Sequence, residues 1–440
     1  MPESQPFTPL RQLPAHAPWK AGDVLVVFGE LFSRGYANGL VDEAMAAGLT
    51  VVRSTVGRRD SDGSLRPLDA TELAAQPKPL INVALEAGFD LERAESGRTP
   101  VDQLQGVKMS EWDKVRLNWD EVEDSRARGA ERFRKACALY MRELETLIPK
   151  GANVLFAHTM AGGVPRAKIL MPTMNRVFKG TGDRHESSER FWASDLGRLS
   201  SMNFDEVTAN TFAALIEASA QIRTRTESQG GHVSYVAFGY HGTEIRIDGA
   251  DQWQTYTPYV QGWAKMNLER FAREAAHRGV RACVFNCPEI LTNSSSIFLG
   301  VEVSLYPLLG ALEKRGSERA RALLKRCAAL LRTGETVGGL LAACDAYMTS
   351  KLMREFNVYS GWPRHNRRDQ MEGMLAVSAK LIGMHEDEKD LITYVLSEEV
   401  FKATGYLMFH ESWAPRSPVV WLGHDCIAEV LAGPDAPAGA

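Results

Sequence analysis

Short apolar runs alternate with longer amphipathic stretches between residues 23 and 290 of the chain. The short runs suit strands that are buried on both faces, and the longer stretches have the apolar spacing of helices. Strands and helices in this alternation predict a parallel sheet with helices on both faces. The predicted strands lie at 23–28, 48–55, 80–85, 153–159, 232–240 and 280–286.

Capping patterns and apolar spacing predict further helices. Asn118 and Asn203 are each followed three residues later by Glu, which is the capping-box pattern at a helix start. Beyond residue 297 the sequence is mostly helical in character, with amphipathic stretches at 318–331 and 389–402. The pattern therefore predicts helical insertions in the first part of the chain and a helical second part.

The predicted fold is α/β: a Rossmann-like, doubly wound parallel sheet with helical insertions and a helical C-terminal extension. The last residues are rich in Ala, Pro and Gly and are expected to be disordered. The predicted segments are an N-terminal arm at 1–20, an NAD(P)-binding catalytic domain at 21–300 with a helical insertion at about 90–150, a helical extension at 301–431 packed on that domain, and a tail at 432–440.

Composition and charge argue against several classes of protein. The 440 residues are 44% hydrophobic and carry a net charge of −4, with no block of like charge that would suggest a nucleic-acid partner. No apolar run approaches the roughly eighteen residues of a membrane span, and the N-terminus lacks an apolar signal core, so a cytoplasmic location is expected. The six cysteines are scattered without a CxxC pair, which favours structural thiols over metal ligands.

The first two predicted strands and the helix between them resemble the βαβ unit that binds dinucleotides. Its first turn contains Gly29, Gly35 and Gly39, a spacing that departs from GxGxxG. These glycines by themselves fit ordinary turns equally well. After the fourth strand, the small residues Ala161 and Gly162 would let a cofactor approach the backbone.

The tip of the second strand bears on the choice of cofactor. A protein that selects NAD usually places an acidic residue there, against the ribose 2′-hydroxyl. Here the tip reads Arg53-Ser54-Thr55, and Arg58 and Arg59 follow. These groups suit a 2′-phosphate, which favours NADPH over NADH. The alternatives are that the arginines belong to a solvated loop, or that Asp60 reaches the ribose.

A tyrosine and a lysine suggest an oxidoreductase. Tyr256 and Lys265 have the spacing Tyr-x8-Lys, at the start of a helix predicted to begin at Thr257-Pro258. The phenol would hydrogen-bond a substrate oxygen as negative charge develops, and the ammonium would favour the ionised phenol and hold a nicotinamide ribose. Tyr259 competes for this role but lies about 120° around the helix from Lys265, so Tyr256 is preferred.

These motifs, in this order, resemble the short-chain dehydrogenase/reductase superfamily. Tyr-x8-Lys is similar to the enlarged enoyl-ACP reductases of the FabV class, and the likeness to the FabMG family covers most of the chain. Two features depart from FabV: Tyr256 lies farther beyond Tyr240, and the second strand lacks an acidic tip. The segments that carry the likeness are Ser33-Arg34-Gly35-Tyr36 within 28–36, residues 157–166, Phe238-Gly239-Tyr240-His241-Gly242, and residues 290–300.

The resemblance implies reduction of a trans-2-enoyl thioester by NAD(P)H in fatty acid biosynthesis, through an enolate at the thioester oxygen. Tyr256 would stabilise that oxygen and Lys265 would hold the ribose. Tyr240 would contact the thioester or gate the pocket, unless it is a core residue at a strand end. The residues expected to bind the cofactor are Gly29, Ser33, Arg34, Gly35, Tyr36, Arg53, Ser54, Thr55, Thr159, Ala161, Gly162, Lys265, Thr292 and Ser294.

Two other functions fit the same residues. In a carbonyl (ketoacyl) reductase of the superfamily, the phenol would protonate an alkoxide instead of stabilising an enolate. A non-catalytic dinucleotide-binding regulator would bind the cofactor without turnover. For the preferred function the implied partner is acyl carrier protein or an acyl-CoA thioester, no metal is expected, and a homo-oligomer is left open.

Overall fold

The central strands are short apolar runs, and the helices between them bury one side against the sheet. The computed structural model describes residues 8–240, 243–247, 250–254, 260–293, 300–354 and 367–433. The strands are β1 (Thr8–Pro9), β2 (Val24–Phe28), β3 (Thr50–Thr55), β4 (Arg58–Arg59), β5 (Leu65–Arg66), β6 (Leu80–Ala84), β7 (Val154–His158), β8 (Val233–Gly239), β9 (Thr243–Ile247), β10 (Ala250–Gln254), β11 (Ala282–Asn286) and β12 (Val419–Trp421).

Sixteen α-helices are described, together with shorter turns. They are α1 (Tyr36–Ala46), α2 (Ala70–Ala74), α3 (Trp119–Leu147), α4 (Leu170–Lys179), α5 (Ser188–Ala193), α6 (Asp195–Phe204), α7 (Thr211–Ala218), α8 (Ala220–Ser228), α9 (Val260–His277), α10 (Val301–Leu305), α11 (Pro307–Arg315), α12 (Glu318–Ala328), α13 (Val337–Met348), α14 (Arg368–Gly383), α15 (Ile392–Glu411) and α16 (His424–Ala432). Of the predicted tail at 432–440, residues 434–440 lie outside the described residues, as do residues 1–7 of the predicted arm.

One sheet of eight strands has the order β1-β12-β11-β8-β7-β2-β3-β6. The pairings within it are parallel. From β2 the chain moves through β3 to β6 on one side, and then returns to build β7, β8 and β11 on the other. This reversal opens a crevice at the carboxyl ends of β2 and β7, where ligands of such sheets bind. The predicted Rossmann-like α/β fold is therefore confirmed.

Two apolar cores cover the two faces of the sheet. On one face, α3, α7 and α9 pack on the strands, and their buried side chains include Tyr140, Phe212 and Leu268. On the other face lie α1 and most of the helices after residue 300. The extension is mostly helical, as expected, and its strand β12 joins the sheet beside β11. A strand of three residues is too short to show a periodic pattern in the sequence.

The predicted start of the insertion helix is confirmed, whereas the second capping pattern is misleading. Asn118 caps α3 by accepting a hydrogen bond from the backbone N–H of Glu121. The prediction that a helix begins at Asn203 is wrong, because Asn203 lies inside α6, which continues through a π-helical segment at Asp205–Asn210 into α7. Its buried amide instead accepts from Phe89 N at 2.9 Å and donates to Gly163 O at 2.8 Å. Those bonds tie the helix to two loops beside the crevice.

Helix α15 of the extension crosses α1 at a pair of glycines. A Cβ at Gly405 would lie 2.1 Å from the carbonyl carbon of Gly39, and a Cβ at Gly39 would lie 2.0 Å from the carbonyl oxygen of Phe401. Gly39 thus belongs to the helix contact and not to the glycine-rich turn. The close approach of the two backbones leaves no room for a methyl group at either position.

We expect Gly405→Ala to lower the free energy of unfolding by about 3 kcal/mol, because the added methyl must push α1 away from α15. The matched control is Gly383→Ala in α14, where a Cβ would meet nothing within 4 Å. Alanine there is expected to stabilise the helix slightly. Urea unfolding followed by circular dichroism measures both variants, and equal midpoints for the two would contradict the contact.

Candidate active site

A cleft opens at the carboxyl ends of the central strands. Its walls come from the turn after β2 together with α1, from the ends of β7 and β8, from α9, and from the loop after β11. The lining residues are Glu30, Leu31, Phe32, Arg34, Gly35, Tyr36, Ala37, Asn38, His158, Thr159, Ala161, Phe238, Gly239, Tyr240, Lys265, Glu289, Ile290, Thr292 and Asn293. The fold thus brings to one cleft several residues that the sequence separates by more than two hundred positions.

A second cavity adjoins this cleft and shares Glu30, Phe32, Thr159 and Ala161 with it. The shared Phe32 side chain is 59% exposed. The second cavity extends across the ends of β3 and β6, and it is lined further by residues 56–59, 86–88, 90, 160, 163–164, 166, 203 and 207. The two cavities together form a crevice along the strand ends, the arrangement in which such folds hold an extended dinucleotide.

The turn after β2 depends on one glycine for its shape. Gly29 has a φ of +123°, and a Cβ there would lie 2.6 Å from the hydroxyl oxygen of Thr159. A Cβ at Gly35 would meet no atom within 4 Å, so packing does not require that glycine. Gly35 lines the cleft at the N-terminus of α1, where unsatisfied backbone N–H groups and the helix dipole favour an anion.

Tyr36 joins this turn to the loop after β11. Its hydroxyl donates a hydrogen bond to Pro288 O, and its ring stacks on Phe238 with the ring centroids 6.3 Å apart. Burial, with Cys287 and Glu289 nearby, raises the pKa of Tyr36 well above its usual value. The uncharged side chain therefore connects two walls of the cleft.

Lys265, on α9, lines the cleft. The side chain is 6% exposed, and Nζ donates a hydrogen bond to the carbonyl oxygen of Phe238 at the end of β8. Burial lowers the pKa of Lys265 to about 8, against the opposing effect of Cys287. The predicted Tyr256 and its competitor Tyr259 lie outside the described residues, as does Ser294.

His158 stands beside Lys265 at the end of β7. The side chain is 1% exposed, and its Nε2 is 2.7 Å from the hydroxyl oxygen of Thr211. Burial and the Lys265 charge lower its pKa well below the usual value, so the imidazole is neutral. A neutral ring adds no positive charge that would compete with the ammonium.

Tyr240 and Glu289 form the inner wall of the same cleft. The Glu289 carboxyl is 3% exposed, and its Oε2 accepts a hydrogen bond from Ser304 Oγ at 2.8 Å. Burial raises the pKa of Glu289 to about 8, although Ser304 and the adjacent Tyr240 hydroxyl favour its ionised form. Sequence reasoning missed Glu289; the available signal was a single acidic residue in an otherwise apolar strand exit, Cys287-Pro288-Glu289-Ile290.

The residues predicted at the second strand's tip do not line either cavity. Ser54 faces α3: its hydroxyl donates to Val27 O at 2.5 Å, and its Oγ lies 2.9 Å from the Tyr140 hydroxyl oxygen. Its contact with a cofactor stays a prediction. Arg53 and Thr55 belong to the same strand, and neither is among the lining residues of the two cavities. The cavity wall is made instead by residues 56–59.

Acidic partners hold the arginines that the sequence assigned to a 2′-phosphate. Arg58 binds Glu30 through two hydrogen bonds, Nη2 to Oε1 at 2.9 Å and Nη1 to Oε2 at 3.1 Å. Arg59 Nε donates to Glu86 Oε2 at 2.8 Å. Glu30 also approaches the backbone N–H of Val56 at 3.4 Å, which places a carboxylate at the junction of the two cavities.

Two further observations concern metals and membranes. The described part of the chain contains no group of three or more His, Cys, Asp or Glu side chains arranged to hold a metal ion. Within the same residues, no helix has both the length and the apolar character needed to cross a membrane.

The fold and the site define a dinucleotide-dependent oxidoreductase of the Rossmann-like class. A model of the family described as enoyl-acyl carrier protein reductase FabMG matches residues 6–431. The chain belongs to this FabMG family of enoyl-ACP reductases, as the sequence motifs indicated. The function is accordingly NAD(P)H-dependent reduction of enoyl-ACP in fatty acid biosynthesis, which is favoured over both alternatives.

Solved structures agree with the family. The chain is 50% identical to an apo structure of FabMG, with a TM-score of 0.93, and the match covers 97% of this chain and 98% of the other. It is 44% identical to an NADH-bound structure of FabMG, with a TM-score of 0.77 and coverage of 96% and 98%. A comparison with curated proteins finds no match.

Proposed function

We propose that this protein reduces trans-2-enoyl groups carried on acyl carrier protein with NADH, and that Tyr256 and Lys265 assist the reaction. The observation that carries the proposal is the buried Lys265 ammonium in a cleft that also contains the N-terminus of α1. Burying a cation is energetically unfavourable, so a buried cation in a cleft indicates a ligand-binding or catalytic role.

The crevice fits a dinucleotide at both ends. The anion-favouring N-terminus of α1, with Gly29 and Gly35 before it, would hold the pyrophosphate. Lys265, Thr159, Ala161 and Thr292 surround the inner cleft and would hold the nicotinamide riboside, while the second cavity would hold the adenosine. Arg34 lines the cleft and remains a candidate, as do Ser33 and Gly162. Ser294 also stays a candidate, and it lies outside the described residues. When bound, NADH supplies the hydride.

The chain's own groups would act on the substrate oxygen. As the thioester accepts electrons, negative charge develops on its oxygen, and a hydrogen bond from Tyr256 would stabilise that charge most strongly in the transition state. The Lys265 ammonium would act in the same direction because it lies in a site with little water to screen it. The acyl carrier would remain outside the cleft. Comparing the rates with the acyl carrier protein and coenzyme A thioesters decides which carrier the protein uses.

Glu30 supports NADH as the preferred cofactor. Its carboxylate lies where the adenosine ribose would enter the second cavity, and it holds Arg58, the residue otherwise suited to a 2′-phosphate. Carboxylate oxygens accept hydrogen bonds from ribose hydroxyls but repel a phosphate. In this protein the acidic residue expected at the tip of the second strand would thus come from the first turn. The NADH-bound FabMG relative supports the same choice.

We expect Glu30→Gln to raise the ratio of kcat/KM with NADPH to kcat/KM with NADH on the order of tenfold or more, because it removes the repulsion and releases Arg58. Initial rates with each cofactor at saturating enoyl thioester measure the ratio. Glu313→Gln, on the exposed surface of α11, is the control and should leave the ratio unchanged. A wild-type preference for NADPH, or no change in Glu30→Gln, would refute this role for Glu30.

The function is tested by following NADH oxidation with crotonyl-ACP and crotonyl-CoA beside a 3-ketoacyl thioester. Enoyl-dependent oxidation that yields the saturated thioester supports the proposal. Turnover of the ketone alone would move the function to carbonyl reduction, and cofactor binding without turnover of either substrate would indicate a regulator.

A further inference from the structure

Phe32 is the most exposed of the large apolar side chains in the described part of the chain. The residue is 59% exposed, and Met45, near the other end of α1, follows at 57%. A single exposed apolar side chain on a protein surface is ordinary and needs no explanation. Phe32 differs from the others because it lines both cavities of the crevice.

The two cavities meet at a neck, which we define by the four residues that they share. Glu30 and Phe32 come from the turn after β2, and Thr159 and Ala161 come from the turn after β7. The two turns are joined at their bases, where the backbone N–H of Thr159 donates a hydrogen bond to Phe28 O at 2.9 Å. A ligand that occupies both cavities must therefore pass between these two turns.

Helical side chains anchor the backbone on both sides of the neck. The Asn38 amide of α1 donates to Phe32 O at 3.0 Å and to Gly35 O at 3.1 Å. On the other side, the Thr208 hydroxyl accepts from Gly162 N at 3.1 Å and donates to Gly162 O at 2.8 Å. The backbone that carries Phe32 is thus held in place, while its ring remains largely open to solvent.

The chemistry of the neck suits a ribose. An aromatic side chain buries about 150–250 Å² when it is fully covered, so an exposed ring in a crevice gains from contact with carbon atoms of a ligand. Phe32 has no polar group to offer a phosphate, whereas the C–H face of a ribose is apolar. Glu30, on the same turn, can accept hydrogen bonds from the ribose hydroxyls. The two side chains together match the apolar face and the polar edge of one sugar.

We propose that Phe32 is a cofactor-binding residue and that its ring packs against the adenosine ribose of the dinucleotide at the neck. The proposal rests on the function proposed above, because it takes the same cofactor through the same crevice. Lys265 lines the inner cleft but not the second cavity, so the proposed reaction takes place on one side of the neck. Phe32 should therefore affect the affinity for the cofactor and leave the chemical step unchanged.

The test compares Phe32→Ala with the wild type in the full-length protein by isothermal titration calorimetry. We expect the Kd for NADH to rise on the order of tenfold, because the ribose loses an apolar contact. The Kd for ADP-ribose, which contains the same sugar but no nicotinamide, should rise by the same factor. At saturating NADH, neither kcat nor the KM for crotonyl-ACP should worsen by more than about twofold.

Two further variants separate a ligand contact from a structural role. Phe32→Tyr keeps an aromatic ring and should hold the Kd for NADH within about threefold of the wild type. Met45→Ala is the matched control, since it removes a similarly exposed apolar side chain of α1 that lines neither cavity, and it should leave both Kd values unchanged. Because Phe32 is exposed, the urea midpoint of Phe32→Ala should stay near that of the wild type.

Three results would overturn the proposal. An unchanged Kd for NADH in Phe32→Ala would show that the ring contacts no part of the cofactor. A rise for NADH without a rise for ADP-ribose would place the ring on the nicotinamide half. A higher KM for crotonyl-ACP with both Kd values unchanged would assign the ring to the acyl substrate. A wild type that binds NADH but reduces no enoyl thioester would contradict the proposed function instead, and the Kd values of Phe32→Ala would still decide the role of Phe32.

Discussion

Lys265→Met is expected to lower kcat/KM for enoyl thioester reduction by roughly a thousandfold. The substitution removes the buried cation while keeping an unbranched side chain of similar length. Loss of one preorganised donor in a water-poor site costs about 10²–10³ in rate, and loss of the ribose contact adds to this through weaker cofactor binding. Removing a buried charge should offset the loss of its hydrogen bond to Phe238 O, so the urea midpoint should stay near that of the wild type.

The experiment measures initial rates with crotonyl-ACP and NADH binding by fluorescence. The ammonium form is expected to be the active one, and burial lowers the pKa of Lys265 to about 8. The contribution of Lys265 in the wild type is therefore complete below pH 8 and is lost as the pH rises through that value. The control is Lys325→Met, which replaces an exposed lysine of α12 and should leave the rate unchanged. Retention of a tenth or more of wild-type activity in Lys265→Met would show that the cleft works without the cation.

The sequence predicted the central fold because its signals are local. Each central strand is a continuous apolar run, and strands that alternate with amphipathic helices predict a parallel sheet covered by helices on both faces. The structure brings Lys265 into the cleft lining through α9, and its catalytic and cofactor-binding roles stay predictions. Strands β1 and β12 were missed because two or three residues show no period.

The parts that were missed depend on contacts between distant residues. The pairing of Arg58 with Glu30 joins two turns that are adjacent only in the folded sheet, so the arginines resembled a phosphate site in the sequence. Ser54 was assigned to the cleft, but alternate residues of a strand face opposite sides, and its side faces α3. Asn203 followed a capping pattern whose amide is used for tertiary bonds within a continuous helix.

Glu289 illustrates a different limit. Its raised pKa results mainly from burial, and that burial belongs to the packing of α10 and β8 around it. An acidic residue after a strand is ordinarily exposed, so the sequence alone would place it in solvent. The sequence could identify the type of reaction, whereas the groups that tune it needed the folded cleft.

Tyr256→Phe is expected to lower kcat for crotonyl-ACP on the order of 10²–10³-fold while leaving the Kd for NADH within about twofold. The substitution removes only the hydroxyl, so the aromatic ring is retained while the enolate oxygen would lose its proposed donor. The effect should fall on kcat because the hydrogen bond strengthens as charge develops in the transition state. Stopped-flow hydride transfer and NADH fluorescence measure the two quantities separately.

Tyr259→Phe tests the competing assignment, since Tyr259 would lie on a different side of the helix from Lys265. We expect this variant to retain most of the wild-type kcat, as should Tyr394→Phe, whose side chain is 45% exposed on α15. A large loss in Tyr259→Phe with little change in Tyr256→Phe would transfer the role to Tyr259. If both variants stay active, the donor to the enolate oxygen must be a group already inside the described cleft, and Tyr240 beside Glu289 becomes the residue to test.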